Sequence, residues 1–313
     1  MKSDFLVKVP GTSANLGSGF DLFGLALDIY NEFHFFESEH ANFNITLHDD
    51  SPLPFEVKDN LIKNAYLYYA NTYLPNIKMP YYNIKIKMNL PVRGGLGSSA
   101  SALIAGFLAA NLFHKSENQS IPLPSESEIL TEIAKMEGHP DNTSAAILGG
   151  FVFSYFTERG LIYFKKKFPK SIQLYIFIPE LETDTNDSRN KLPEQYKTED
   201  LVFNMGRVCT WLEFLSTGKI EYLSLSLQDR VHTPYRIKSV SFLKDLSEVL
   251  KINKIYFSLS GSGPTLLIYS AEEDIGKFSI FFQNAIQKCT EKYSIKYKFF
   301  PIQPSNTGTE III

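Results

Sequence analysis

Cysteine is almost missing from this chain, with Cys209 and Cys289 the only two in 313 residues. They lie on separate expected helices without metal-ligand spacing or an adjacent base, so both read as buried thiols in a reducing compartment. Charge of one sign is also lacking. The formal net charge of -3 is too small to suggest a polyanionic partner, and no Lys/Arg block reads as a nucleic-acid footprint. Long apolar runs are absent too. The longest, residues 100–113, is shorter than a bilayer span and is broken by Ser101 and Asn111, so no membrane partner is expected. Residues 1–10 hold charges and no apolar core of a signal peptide, and a cytoplasmic location is expected. There is no internal repeat, low-complexity tract or Pro/Gly-rich linker. What remains, 44% hydrophobic and 21% charged residues, is the composition of a globular protein, and the length suits two domains of ordinary size.

Alternating apolar residues predict strands near 5–10, 27–36 and 82–90. Asp59 or Asn60 can cap a helix running to about Tyr73, and Ser98 opens another reaching about Phe113. Ser125 with Glu128 forms a capping-box pattern ahead of 129–137, and Gly138 can end that helix. Residues 151–156 and 161–164 read as a hairpin around Arg159 and Gly160, and 172–178 as a short apolar strand. Leu201, Met205, Val208, Leu212 and Leu215 recur at helical spacing, with further helices near 241–250 and 272–292 and strands at 255–259 and 265–269. The elements lack the regular alternation of a doubly wound sheet, so an α+β fold is expected, with domains over 1–167 and 168–313.

The most informative stretch runs Pro91, Val92, Arg93, Gly94, Gly95, Leu96, Gly97, Ser98, Ser99, Ala100, Ser101, after a strand and into a helix. Its glycines let the backbone approach a ligand closely, and the first amides of the helix, at the positive end of its dipole, make an anion site. A Ser99 hydroxyl can help hold a magnesium ion between phosphates. The plain alternative is a glycine turn that only connects strand to helix. No Lys follows the last glycine, so it is not a Walker loop, and the spacing is not G-x-G-x-x-G.

Residues 91–101 resemble the ATP-binding motif of the superfamily of galactokinase, homoserine kinase, mevalonate kinase and phosphomevalonate kinase. Val9 to Asp21 (VPGTSANLGSGFD) resembles its N-terminal motif and Leu259 to Pro264 (LSGSGP) its C-terminal one, in the expected order. The resemblance implies an N-terminal domain like the second domain of ribosomal protein S5, a ferredoxin-like C-terminal domain, and ATP and Mg²⁺ as cofactors. Glu137 to Asn142 (EGHPDN), Thr185 to Arg189 (TNDSR) and Asp229 to Arg236 (DRVHTPYR) narrow it to the homoserine kinases. Departures are Gly11 where alanine is usual, Ser18 where proline is usual, and Thr143 and Ser144 for valine and alanine.

Homoserine is a zwitterion. Arg189 and Arg236 can grip its carboxylate with forked donors, Asp21 and Asn15 can receive its ammonium, and His139 can bond its carboxylate or reacting end. Thr185, Gly261 and Gly263 join these acceptor contacts through the resemblance. Magnesium falls to Glu137 and Ser99, with Glu132 as the rival ligand. Of the catalytic candidates, Asp141 is the base if one is used, and Asn142 stands beside the γ-phosphate in the favoured base-free scheme. Surface arginines, a capping histidine and an Asx-turn aspartate are the ordinary alternatives. A superfamily kinase for another hydroxyl compound, or a member that binds without catalysing, are the rival functions, and a homodimer is compatible with the resemblance.

Overall fold

The computed structural model describes residues 4–53, 60–91, 94–117, 120–181 and 187–313. Two mixed layers share one molecule, as expected of an α+β chain. In the first, strands β1 (Phe5–Ala14), β2 (Phe23–Ser38), β3 (Asn44–Leu47) and β4 (Tyr81–Lys87) carry the helices α1 (Leu61–Tyr73), α2 (Ser98–Glu117), α3 (Glu126–Glu137) and α4 (Asp141–Leu148), followed by the hairpin β5 (Phe151–Thr157) and β6 (Gly160–Lys166). Strand β2 is 16 residues long and serves three neighbours. It pairs with β1 along its length, with β4 over its second half and with β5 at Phe23, Gly24 and Leu25. Inward-facing Val7, Val9, Phe33, Phe35, Ile84 and Ile86 pack on Tyr66, Tyr69, Ile104 and Phe107 of α1 and α2.

Local signals decide several boundaries. Asn60 caps α1 by accepting the amides of Ile62 and Lys63. Ser125 and Glu128 close a reciprocal capping box on α3, and Gly138, at φ 89°, ends that helix in the left-handed conformation. The expected cap Asp59 lies outside the described residues.

In the second layer, β7 (Gln173–Pro179) is followed by α5 (Asp187–Asn190), α6 (Thr198–Thr217), α7 (Ile220–Ser226), α8 (Thr233–Lys238) and α9 (Ser241–Ile252). Then come β8 (Tyr256–Leu259), β9 (Leu266–Ser270), α10 (Ile275–Lys292) and β10 (Tyr297–Ile302). The sheet order β10-β7-β9-β8, antiparallel throughout, is the ferredoxin-like arrangement. The continuous apolar run of β7 follows from burial on both faces. Leu174 and Ile176 face α6 and the first layer, whereas Tyr175 and Phe177 face α9 and α10. Phe23 and Phe151 meet Trp211 and Phe214 in a shared core between the layers. The chain then returns. Residues 303–305 lie along β2, and β11 (Glu310–Ile312) pairs with β1.

One expectation is corrected. Cys289 is buried but Cys209 is exposed. On α6 the inward face holds Asn204, Trp211 and Phe214, and Cys209, two residues before Trp211, is turned about 200° from it. Leu201, Met205 and Leu212, which supply the helical period, also face outward.

Candidate active site

Three loops converge where the two layers meet. The glycine loop before α2 lies on the turn after β8: Ser260 Oγ donates to Gly95 O at 2.7 Å. Gly95, at φ 77°, has no room for a side chain, since a Cβ would sit 2.2 Å from Ser260 O. The loop after β1 joins the same point. Gly261 N donates to Ala14 O, and Gly261 O accepts from Asn15 Nδ2 at 3.1 Å and from Arg236 Nη1 at 2.8 Å. Gly263 N closes the turn onto Ser260 O.

At the mouth of α2, the leading amides have no intrahelical acceptor by the geometry of any helix start, and they form the positive end of the dipole. Ser99, exposed, donates its hydroxyl to Glu137 Oε1 at 2.5 Å. Burial outweighs that bond and pushes the Glu137 carboxyl above its ordinary pKa. Two hard oxygens side by side, next to an anion site, fit magnesium, which keeps water and phosphate oxygens in its remaining positions. Glu132 is engaged elsewhere, accepting from Tyr68 Oη and from Lys135 Nζ. Ser101 is fully buried, with its hydroxyl donating to Ser98 O and accepting from Asn31 Nδ2. Leu96 and Ala100 are buried too, while Pro91 is partly exposed.

The start of α4 brings the EGHPDN segment against β2. A Cβ on Gly24 would lie 2.0 Å from Asp141 O, so glycine permits that approach. Asp141, only 1% exposed, accepts at Oδ1 from His139 Nδ1 (2.6 Å), from Asn142 N (2.7 Å) and from Asn142 Nδ2 (3.2 Å). Burial alone would lower the His139 pKa. The hydrogen bond and charge of Asp141, with Glu137 and Asp21 behind it, override this and hold it up at about 8. Asn142 Oδ1 accepts from Thr12 Oγ1 at 2.7 Å.

The acceptor candidates form a second group around one ring. Arg189 makes a forked pair with Asp21, Nη1 to Oδ2 at 3.0 Å and Nη2 to Oδ1 at 2.8 Å. Its guanidinium carbon is 5.6 Å from the Phe20 ring centre, and that of Arg236 is 5.3 Å from the same centre. Arg236 is 6% exposed, and its Nε has no partner among the described residues. Asn15 Oδ1 accepts from Asp21 N, so the Asn15 amide spends both its ends shaping this loop.

Comparison with known proteins decides the family. Residues 60–150 match the model described as the GHMP kinases N terminal domain. The homoserine kinase of Clostridium novyi (strain NT) is 33% identical over 308 residues, 98% of each chain. The chain belongs to the homoserine kinase family. Within that family, the homoserine kinase of Caldicellulosiruptor bescii is 33% identical over 309 residues, 97% of this chain and 96% of that one. The crystal structure of homoserine kinase from Cytophaga hutchinsonii ATCC 33406 superposes with a TM-score of 0.81 at 25% identity, covering 100% of this chain and 98% of that one. A crystal structure of mevalonate kinase shares the fold, with a TM-score of 0.63 at 17% identity over 96% of this chain and 99% of that one.

Against the homoserine kinase motifs, Arg93 and Thr185 lie outside the described residues, and the other site candidates fall into the groups above. Thr12, Phe20 and Ser260 join them with no role assigned from sequence. All three sit inside the quoted motifs, but a hydroxyl bonded to an asparagine 130 positions away, or a ring shared by two distant arginines, has no local signature. Ser18, the departure from proline, donates its hydroxyl to Ser226 O.

Proposed function

We propose that this homoserine kinase family member transfers the γ-phosphate of ATP to the side-chain hydroxyl of L-homoserine, yielding O-phospho-L-homoserine and ADP, as a cytoplasmic step of threonine biosynthesis. The observation that carries this reading is the pair of guanidiniums and one carboxylate around Phe20, beside the start of α2. In this reading Asp21 takes the ammonium and Arg189 and Arg236 take the carboxylate. Bound homoserine then replaces the Arg189–Asp21 pair with two complementary ones, and Asn15, Gly261 and Gly263 hold the backbone around it.

The triphosphate lies along residues 94–101, with backbone amides and the α2 dipole against its charge. Ser99 and Glu137 would hold Mg²⁺, which would supply neutralisation of phosphate charge. The homoserine oxygen bonds to the γ-phosphorus as the bond to the β-phosphate bridging oxygen breaks, and the hydroxyl proton passes to an oxygen of the transferred phosphoryl group. Phosphoryl transfer has a loose transition state, so positioning and charge do most of the work. Thr12 and Asp141 fix Asn142 from two sides for a contact to the γ-phosphate, and cationic His139 faces the reacting end.

A crystal structure with a non-hydrolysable ATP analogue and L-homoserine tests the arrangement. The expected result is phosphates on residues 94–101 and the α-carboxylate within hydrogen-bond distance of Arg236. An amino acid bound with its carboxylate away from both arginines overturns it.

A further inference from the structure

The segment from Asn15 to Asp21 is held in a shape that residues with side chains avoid. Asn15, Leu16 and Asp21 have φ of 70°, 47° and 56°. Because Phe20 lies against both arginines and Asp21 bonds Arg189, whatever keeps this segment in place also places the acceptor contacts. Part of the restraint comes from the α6–α8 region. Ser18 Oγ donates to Ser226 O at 2.9 Å, Asn204 Nδ2 reaches Ser18 O at 3.4 Å, and His232 Nε2 donates to Gly17 O at 2.7 Å. The His232 ring also stacks on Phe20, with centres 5.1 Å apart.

Asp229 is the hub behind these contacts. Its buried carboxylate accepts from Asn204 Nδ2 at 2.8 Å and from the amides of Val231, His232 and Thr233 at 2.7, 3.1 and 2.6 Å. It therefore fixes the loop that enters α8, the helix carrying Arg236. Asn204 Oδ1 in turn accepts from Arg230 N. We infer that Asp229, His232 and Asn204 form a clamp of positioning residues that sets the enzyme's affinity for its amino-acid acceptor and not for its nucleotide. The selectivity follows from connectivity. The clamp grips residues 17 and 18, whereas the glycine loop is tied to the rest through Thr12 N on Leu96 O and Ser260 Oγ on Gly95 O.

One chemical detail sharpens the idea. His232 is fully buried, and its Nδ1 has no partner among the described residues. Burial lowers its pKa despite the nearby Asp229 charge, so the ring is neutral and works through a single Nε2–H. Glutamine can place an N–H at the same reach, while phenylalanine keeps the ring on Phe20 and removes the donor.

The inference rests on the acceptor site proposed above, and the experiment separates the two. Steady-state kinetics are measured for wild type, His232→Phe and His232→Gln, varying homoserine and ATP in turn. His232→Phe is expected to raise the homoserine KM about tenfold while the ATP KM and kcat stay within about twofold, and His232→Gln to return the homoserine KM to within about threefold of wild type. An unchanged homoserine KM in His232→Phe, equal rises in both KM values, or no rescue by glutamine overturns the clamp. Should His232→Phe not fold, Ser18→Ala replaces it, with a homoserine KM rise of about threefold expected and an unchanged value contradicting the clamp. If wild-type enzyme does not phosphorylate homoserine, the acceptor assignment fails, and the same ratios are read on whichever hydroxyl compound it does phosphorylate.

Discussion

Replacing Arg236 with methionine is expected to lower kcat/KM for homoserine by about thirty-fold to a thousand-fold or more while leaving the ATP KM nearly unchanged. Arg236 is a buried cation on α8 with one donor on Gly261 O and no partner for its Nε among the described residues, and the nearby Asp21 carboxylate is spent on Arg189. Burial pulls its pKa down, the mark of a charge not fully compensated. A site that keeps such a group is short of an anion, and a substrate carboxylate fits the gap. Truncating one partner of a buried, hydrogen-bonded charge pair costs about 2–5 kcal/mol, which sets the size of the loss. Lysine should not rescue it, because a point charge cannot reproduce the fork or the face laid on Phe20. Thermal unfolding supplies the second readout. Since methionine removes a poorly compensated buried charge, the variant should be as stable as wild type or more so. Homoserine kinetics unaltered by the substitution, or a nucleotide KM that rises with the acceptor KM, would count against this placement of the carboxylate.

Asp141→Asn should lower turnover by about tenfold and leave clearly measurable activity. A general base contributes about 10²–10⁴-fold, so a loss of a thousand-fold or more would show that Asp141 takes the acceptor proton. The smaller effect follows from geometry. Asp141 Oδ1 already accepts from His139 and twice from Asn142, and an asparagine oxygen can keep those bonds while losing only the charge. That charge has its own signature in the metal-free protein. His139 is held at about 8, above the roughly 6.5 of a free histidine, so this pairing stabilises the fold fully below about pH 6.5 and fades as pH rises through about 8. The stability difference between wild type and Asp141→Asn should therefore be largest in mild acid and shrink above pH 8, as read by denaturant unfolding across that range.

Much of the fold was legible because its signals are local. The caps at Asn60 and Ser125, the stop at Gly138 and the hairpin at Gly160 act within a few residues. The strand at β7 showed itself as an apolar run short enough to exclude a long helix. Helix α4 was not legible. Pro140 makes no side-chain cap, and Thr143 and Ser144 are buried among alanines, so no polar face marks the helix. Strand β11 exists only because β1 offers it an edge more than 290 residues earlier in the chain. Helix α6 was legible as a helix but not in its facing, since the shared core takes Trp211 and Phe214 and leaves Met205 outside. In the site, motifs supplied the residue types, but the pairings of Asp21 with Arg189 and of Thr12 with Asn142 are tertiary facts, as is the positive φ of Asn15, Leu16 and Asp21.

The most direct test offers the purified protein ATP and Mg²⁺ with L-homoserine, mevalonate and galactose in separate reactions, followed by phosphorus NMR. The account predicts a new phosphomonoester signal of O-phospho-L-homoserine with matching loss of ATP in the first reaction alone. Phosphorylation of mevalonate or galactose in place of homoserine, or ATP bound with none of the three phosphorylated, would contradict it.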